Sequence, residues 1–426
     1  MTDPTDAHLA AQYEAYPYPR RDPRDEAKRL VTGSPGHLRE IDHWVFGATR
    51  SSSQPLRALI AGGGSGDATI MLAQQMAALR RPGSVTWLDR SAAALRIARS
   101  RAAERKLDNI VWELRSLLDL PVKELGPFDY IDCCGVLHHL PDPAAGLRAL
   151  LSVLAPDGGL GLMVYAPHGR TGVYMLQDAL RLLAPVEQAP AARLDTAKRV
   201  MRHLPETAWL RFNRGFDDHL NGGDAGLYDL LLNPRDRAFT VPELHALLTE
   251  AGLQIACWVE PIRYDPAPLL PDPRLRARLD GLDSVQRAAL AEALAGNMAV
   301  HTVYCKRACE PVHRADPFAP DAVPVCRDIS GEDLARGIQP DGTLAVRLDG
   351  LRVPVPLPAL AEPILNLVDG RRSVAAIEAT LVARGIAEAA VRRAWRETFP
   401  ALERINRLLL AAPAAARALP QSPGAA

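Results

Sequence analysis

The residues best suited to chemistry are Gly62, Gly64 and Gly66, the acid Asp89, and the adjacent histidines His138 and His139. The glycines follow an apolar run, Leu56-Arg57-Ala58-Leu59-Ile60-Ala61, and Ala68, Met71, Leu72, Met76 and Leu79 then recur at helical spacing. That pattern predicts a buried strand, a sharp turn and a helix whose first N–H groups point at whatever fills the turn. Glycine lets backbone approach a ligand without a Cβ in the way. The spacing Gly62-x-Gly64-x-Gly66 puts Asp67 where the dinucleotide fingerprint needs a third glycine, which argues against NAD or FAD and disfavours a dehydrogenase. Taken alone, such a turn also fits a plain strand-to-helix connection.

Asp89 closes a second short strand, Ser84–Asp89, and lies 23 residues beyond Gly66. Strand ends converge at the ligand crevice of a doubly wound sheet, so an acid there can accept two ribose hydroxyls. The histidines follow a strand over Phe128–Gly135, where the crevice opens. A histidine titrates near neutrality and is the natural base for a proton leaving an oxygen or nitrogen, although a structural or cofactor-side role for the pair is the favoured reading. Two adjacent histidines diverge and do not make a metal site. Tyr13, Tyr16 and Tyr18 cluster around Pro17 and Pro19, so Gln12 to Arg20 is expected to be extended, with Tyr16 and Tyr18 on the substrate side as a lid or else a surface strap.

The elements that position these residues alternate. Helices are expected over Gly36–Phe46, Ser91–Leu107 and Ala144–Leu154, and further strands over Ile110–Leu114 and Leu160–Tyr165. Strand and helix at this period mean a parallel α/β sheet. The turn over Ala58–Gly66, Asp89, Phe128-Asp129, Val136-Leu137-His138-His139-Leu140 and Leu154-Ala155-Pro156-Asp157-Gly158-Gly159 together resemble class I S-adenosylmethionine-dependent methyltransferases. The resemblance implies a Rossmann-like, seven-stranded, mostly parallel sheet, with S-adenosyl-L-methionine as cofactor. It places Gly62, Gly64 and Gly66 beside the amino-acid part, Asp89 on the ribose, Ser116 and Leu117 near the adenine, and Gly135 among the cofactor-binding residues. Two positions depart from the family: Ile60 replaces a strand acid, and Ser116 stands where an acid near the adenine is expected. These departures motivate an alternative, a non-catalytic scaffold or sensor that keeps the fold. The methyl acceptor is open between a small molecule and a peptide or protein side chain.

At 426 residues with 48% hydrophobic composition, the chain is long enough for two domains with sizeable cores. Lys plus Arg equals Asp plus Glu at 50 each, so no general field favours nucleic acid or an anionic membrane. The N-terminus lacks a signal pattern and no apolar run is long enough to span a bilayer, so a cytoplasmic location is expected. Six scattered cysteines lack paired spacing, and Cys133 and Cys134 read as small apolar strand residues.

The expected domains are a lid and helix over 1–50 and a methyltransferase domain over 51–308. A helical cap insertion at about 166–238 carries Arg193, Lys198, Arg199, Arg202, Arg211 and Arg214. A capping box at Thr240 and Glu243 returns the chain to the main domain, whose last strands are expected at Leu253–Val259 and Ala299–Cys305. A proline-rich linker, 309–325, leads to a small α+β domain over 326–412, in which Asp349-Gly350 turns a hairpin and three helices follow up to Leu410. That domain weakly resembles winged-helix-like peptide-recognition modules, which implies a peptide or protein partner. The tail, 413–426, is expected to be disordered.

Overall fold

The computed structural model describes residues 4–213, 215 and 218–411. The chain opens with helix α1, Pro4–Ala15, followed by α2, Leu38–Glu40, which runs on as a π-helical turn over Ile41–Val45. The extended segment expected from Gln12 therefore begins only at Tyr16. Pro17 and Pro19 restrict the residues around them and leave the preceding helix untouched.

Strand β1 is Leu56–Ala61, and α3, Asp67–Leu79, follows the glycine turn. β2 is Gly83–Asp89, and α4, Ala92–Glu104, starts at Ser91, whose hydroxyl accepts the Ala94 N–H. Next come β3, Ile110–Leu114, and β4, Phe128–Cys134. α5, Pro143–Ser152, is capped by Asp142 with proline at its first position. β5, Leu154–Tyr165, begins earlier than expected, pairing Phe128 with Leu154 before a register shift.

The cap holds α6 (Val173–Leu183), α7 (Pro190–Arg202), α8 (Asp218–Asn221) and α9 (Gly223–Leu232). α10 (Val241–Glu250), with the Thr240–Glu243 capping box, precedes β6 (Leu253–Trp258). α11 (Pro273–Arg276) and α12 (Ser284–Ala295) lead to β7 (Val300–Arg307). The sheet order is β3-β2-β1-β4-β5-β7-β6, parallel except around β7, which runs antiparallel to both β5 and β6. This is the seven-stranded, mostly parallel α/β sheet that the motifs imply. Leu59, Ile131, Leu160 and Leu162 face one apolar layer, while Leu56, Ala58, Ile60 and Tyr130 face another beneath Leu38, Ile41 and Trp44.

The cap has its own core of Val173, Leu180, Leu194, Leu227, Tyr228 and Leu231. Its basic residues serve that core more than a ligand. Arg193 is buried and donates to the Ala184 and Leu232 carbonyls and the Tyr228 hydroxyl, Arg211 donates to the Leu204 carbonyl, and Lys198 and Arg199 pair with Asp224 and Asp195. Arg214 lies outside the described residues.

The segment expected as linker ends sooner than 325. Val323–Cys326 forms β8, which pairs antiparallel with β11, Leu408–Ala411. The helix expected to reach Leu410 correspondingly stops at Glu403. Between them lie α13 (Gly331–Arg336), the hairpin β9 (Thr343–Leu348) and β10 (Leu351–Pro356), α14 (Ala361–Leu365), α15 (Val374–Ala383) and α16 (Glu388–Glu403). Asp349 and Gly350 both have positive φ, 47° and 87°, as a two-residue hairpin turn requires. The expected disordered tail, 413–426, lies outside the described residues.

Candidate active site

The glycine turn is built by packing on three sides and left open on one. A Cβ on Gly62 would stand 2.2 Å from Val136, one on Gly63 2.2 Å from the Trp87 ring, and one on Gly66 3.0 Å from Ala98. Gly64 differs: with φ at 48°, its missing Cβ would meet only the Tyr18 carbonyl oxygen at 3.4 Å and the Gly62 carbonyl oxygen at 4.0 Å. On the neighbouring strand, Gly135 likewise meets only a Met163 methyl, at 3.7 Å. Space for a ligand therefore opens at the C-terminal ends of β1 and β4, as the topology of such sheets dictates.

Asp89 is oriented by the same turn. The Gly64 N–H donates to Oδ2 at 2.9 Å and the Ser91 N–H to Oδ1 at 2.9 Å, while the Trp87 indole donates to the Gly64 carbonyl at 3.1 Å. Burial raises the Asp89 carboxyl above its ordinary value, and the backbone donors offset only part of that rise. The carboxylate keeps lone pairs for hydroxyl donors. Arg101, from α4, locks the turn from behind: almost fully buried, it pairs with Glu26 at 2.6 Å and Asp67 at 2.7 Å and donates to the Ser65 carbonyl at 2.8 Å. Arg21 closes on Asp67 at 2.6 Å. The fingerprint-breaking Asp67 is thus the anchor of two arginines.

Ser116 and Leu117 stand just beyond β3. The Ser116 hydroxyl accepts the Leu118 N–H at 3.2 Å and its own N–H donates to Asp119 at 3.1 Å, which leaves its hydroxyl proton for another acceptor. Leu117 is buried against the layer that contains Leu137 and Leu147.

The histidines occupy a single turn, Leu137–His139, but play different parts. His138 is fully buried, stacks on Tyr165 at 3.8 Å, and accepts the Tyr165 N–H at Nδ1. Burial holds it well below the usual histidine range, so it stays neutral. The Arg170 guanidinium lies 3.7 Å from the same Tyr165 ring. Two groups this near one centroid must take opposite faces, so Tyr165 is clamped between them. His139 engages the Arg235 carbonyl at 2.6 Å through Nδ1, which must therefore carry the proton and leaves Nε2 as the acceptor in the neutral ring.

Around His139 stand Tyr13, with its ring centroid at 6.4 Å, Tyr165 at 5.8 Å, and the buried carboxylate Asp229. Of the two tyrosines expected on the substrate side, Tyr18 lies close enough to Tyr165 to act on its hydroxyl, whereas Tyr16 turns to the cap. Tyr16 stacks on Tyr228 at 5.1 Å within the cap core, and Tyr18 presents its carbonyl to Gly64. Of the three clustered tyrosines it is Tyr13 that reaches the histidine. Asp229 also escaped the sequence reading, although an acid inside the apolar run Leu227–Leu232 was a usable signal.

α1 spans the gap between the two halves of the site. Glu14 accepts the Ala93 N–H at 3.0 Å and the Ser91 hydroxyl at 3.1 Å, capping α4 beside Asp89. A cavity of about 340 Å³ lies there, lined by Ala10, Ala11, Tyr13, Glu14, Arg90 and Ser91. Among the described residues, no three His, Cys, Asp or Glu side chains converge to hold an ion, and no helix is long and apolar enough to cross a membrane.

A family model described as a methyltransferase domain matches residues 59–160, which include the glycine turn, Asp89 and the histidine pair. An uncharacterised protein from Synechococcus sp. is 31% identical over 299 residues, 69% of this chain and 70% of that protein. The ubiquinone biosynthesis O-methyltransferase of Alkalilimnicola ehrlichii is 31% identical over 166 residues, 37% of this chain and 62% of that enzyme, so the chain spans less than two thirds of its length. The structure of PKMT2 from Rickettsia typhi in complex with AdoHcy has a TM-score of 0.62 at 14% identity, covering 88% of this chain and 75% of that one, and at that identity shows the shared fold. Fold, motif order and relatives agree: the chain belongs to the class I S-adenosylmethionine-dependent methyltransferases and is an enzyme of that family.

Proposed function

We propose that the enzyme methylates an acceptor hydroxyl held between the ends of β4 and β5 and the cap, with His139 as the proton acceptor. The carrying observation is the 2.6 Å contact between His139 Nδ1 and the Arg235 carbonyl, which fixes the ring and leaves Nε2 to take a proton. The O-methyltransferase named among the relatives supports an oxygen acceptor. His138, neutral and buried, is in this reading the support on which Tyr165 rests.

The cofactor residues follow from the open side of the site. Gly64 and Gly135 give backbone approach for the amino-acid part, with Gly62 and Gly66 shaping the turn. Asp89 accepts from the ribose, and Ser116 and Leu117 border the adenine. Bound S-adenosylmethionine supplies an electrophilic methyl group, and the electron pair of the broken bond stays on sulfur. The chain's part is to hold the acceptor oxygen in line, an orientation worth several kcal/mol and up to roughly 7–11 in favourable cases, and to accept the displaced proton. In domain terms we read residues 51–308 as catalytic, with the cap at about 166–238 and the N-terminal helix α1 closing over it, while residues 38–46 pack against the sheet.

The test is transfer from methyl-labelled cofactor to fractions of cell extract, with mass spectrometry of whatever gains one methyl group. An oxygen-linked product, with turnover reduced about a hundredfold or more in His139→Gln, is expected. A nitrogen- or sulfur-linked product, or full turnover in His139→Gln, overturns the reading.

A further inference from the structure

Asp229 is 5% exposed in α9, surrounded along the helix by leucines and Tyr228. A carboxylate buried this deeply persists only where donors converge on it. Oδ1 accepts from the Tyr13 hydroxyl at 3.0 Å, from Asn233 at 3.4 Å and from Gln12 at 3.5 Å, and Oδ2 accepts from the Tyr165 hydroxyl at 3.4 Å. These four donors are neutral, so none cancels the charge. Gln12 and Tyr13 come from α1, Tyr165 from the end of β5, and Asn233 from the end of α9. One carboxylate therefore joins the N-terminal helix, the sheet and the cap.

Besides the Tyr13 and Tyr165 hydroxyls, His139, Arg170 and Asp236 act on Asp229 from neighbouring elements. Arg170 and Asp236 pair with each other at 2.9 Å and largely offset one another. That leaves His139 as the group whose ionisation Asp229 can balance. Burial raises the Asp229 carboxyl above its ordinary value, while His139 and the Tyr13 hydrogen bond draw it down. Burial and Asp229 keep the Tyr13 hydroxyl protonated, and it stays a donor.

We propose that Asp229 is the positioning residue of the transfer site: it fixes the Tyr13 and Tyr165 hydroxyls, faces the charge His139 gains with the acceptor's proton, and makes both conditional on α1 being docked. The inference rests on His139 as proton acceptor. In the step itself, the acceptor O–H proton passes to His139 Nε2 as the oxygen bonds to the methyl carbon. The new imidazolium then sits opposite an existing carboxylate in a poorly screened site. With α1 undocked, Asp229 loses its two nearest-chain donors, Gln12 and Tyr13, and the hydroxyl wall of the site opens.

The experiment follows the Asp229 carboxyl by carbon NMR in the full chain labelled at aspartate carboxyls, with S-adenosylhomocysteine present and Asp229→Asn identifying the signal. His139→Gln is expected to raise its midpoint by about half a unit or more, because the charge that favoured the carboxylate is gone. Tyr13→Phe is expected to raise it as well, and needs no refolding of the cap. In Asp229→Asn, or in Tyr13→Phe should the first variant fail to fold, the α1 amides are expected to exchange about tenfold faster than in the parent. An Asp229 midpoint unmoved by His139→Gln, or unchanged α1 protection, overturns the role of Asp229. Turnover separates the two ideas: full activity in His139→Gln overturns the proton-acceptor reading and this proposal with it, whereas lost activity with an unmoved midpoint overturns this proposal alone.

Discussion

Trp44 donates its indole N–H to the Asn406 side-chain oxygen at 3.1 Å, joining the segment before the glycine turn to the C-terminal module. The contact belongs to a wider seam. Glu40, fully buried, accepts from Asn406 at 2.7 Å, Ser34 at 2.7 Å and Tyr304 at 2.6 Å, and pairs with Arg327. Val325 and Leu409 pack in the same apolar layer as Leu38 and Ile41. Ending the chain near Pro320 would strip that layer and leave Glu40 without its cation. We expect such a truncation to be poorly soluble, and Arg327→Met to cost about 3–5 kcal/mol, the usual loss when one partner of a buried pair is removed. Urea unfolding of the parent and the variant decides it. A soluble truncation with the parent's cofactor affinity would show that the module is separable.

The glycine turn gives a paired prediction. Gly63→Ala drives a methyl group into Trp87 at 2.2 Å, against an indole fixed by its bond to the Gly64 carbonyl, so melting temperature should fall sharply. Gly64→Ala meets only the Tyr18 and Gly62 carbonyl oxygens at ordinary contact distance and loses about 1–2 kcal/mol to its left-handed backbone, yet places its methyl on the side proposed for the cofactor. Calorimetry with S-adenosylhomocysteine should show at least tenfold weaker binding for Gly64→Ala at near-parent stability. Equal binding by Gly64→Ala would move the cofactor away from this turn.

Asp89→Ala removes the carboxylate proposed to accept from the ribose and, with it, the acceptor of the Gly64 N–H. Loss of a charged hydrogen bond costs about 1.5–3 kcal/mol, or roughly ten- to a hundredfold in affinity. Parent-like affinity in that variant would refute the assignment of the acid to the cofactor.

The parts of the site that were legible in the sequence are those written in local grammar. The apolar run into Gly62, the acid ending β2, the Thr240–Glu243 box and the Asp349-Gly350 turn each depend on neighbours within a few residues, and each appears where expected. The pairing of β8 with β11 joins Val323 to Ala411, and no local periodicity announces it. Arg101 and Asp229 are held by partners that only the fold brings near: Glu26 and Ser65 for one, Tyr13 and Tyr165 for the other. Helix α1 ends at Ala15, ahead of Pro17, because a proline restricts the residue just before it and not the turns further upstream.

Tyr16 and the segment that carries it make separate predictions. Tyr16→Ala deletes the stack on Tyr228 and should lower cap stability by about 1–2 kcal/mol, with cofactor affinity unchanged. Deleting residues 1–20 also removes Tyr13 from Asp229, the Glu14 cap of α4 beside Asp89, and the Tyr18 carbonyl over Gly64. That deletion should abolish turnover and weaken S-adenosylhomocysteine binding as well. Full turnover per folded molecule would reduce the segment to a surface strap.

The buried acid Asp132 sets a pH dependence of stability whose sign can be worked out. It lies on β4 beside Ile60, is 1% exposed, accepts the Tyr130 hydroxyl at 3.2 Å, and is pushed by burial up to about 7 from an ordinary 3.8. The folded protein therefore keeps a proton there that the unfolded chain releases. Stability from this group is fully present below the unfolded value and is lost as pH rises through the folded one, so the window runs from about 4 to about 7. A gap of about three units corresponds to roughly 4 kcal/mol at most. Asp132→Asn keeps an oxygen for Tyr130 and removes the ionisation. Urea unfolding should find the variant close to the parent near about pH 4 and more stable by up to roughly 4 kcal/mol near about pH 8. A difference that stays constant across that range would mean that Asp132 does not change protonation on folding, and that its carboxylate has a partner able to hold the charge.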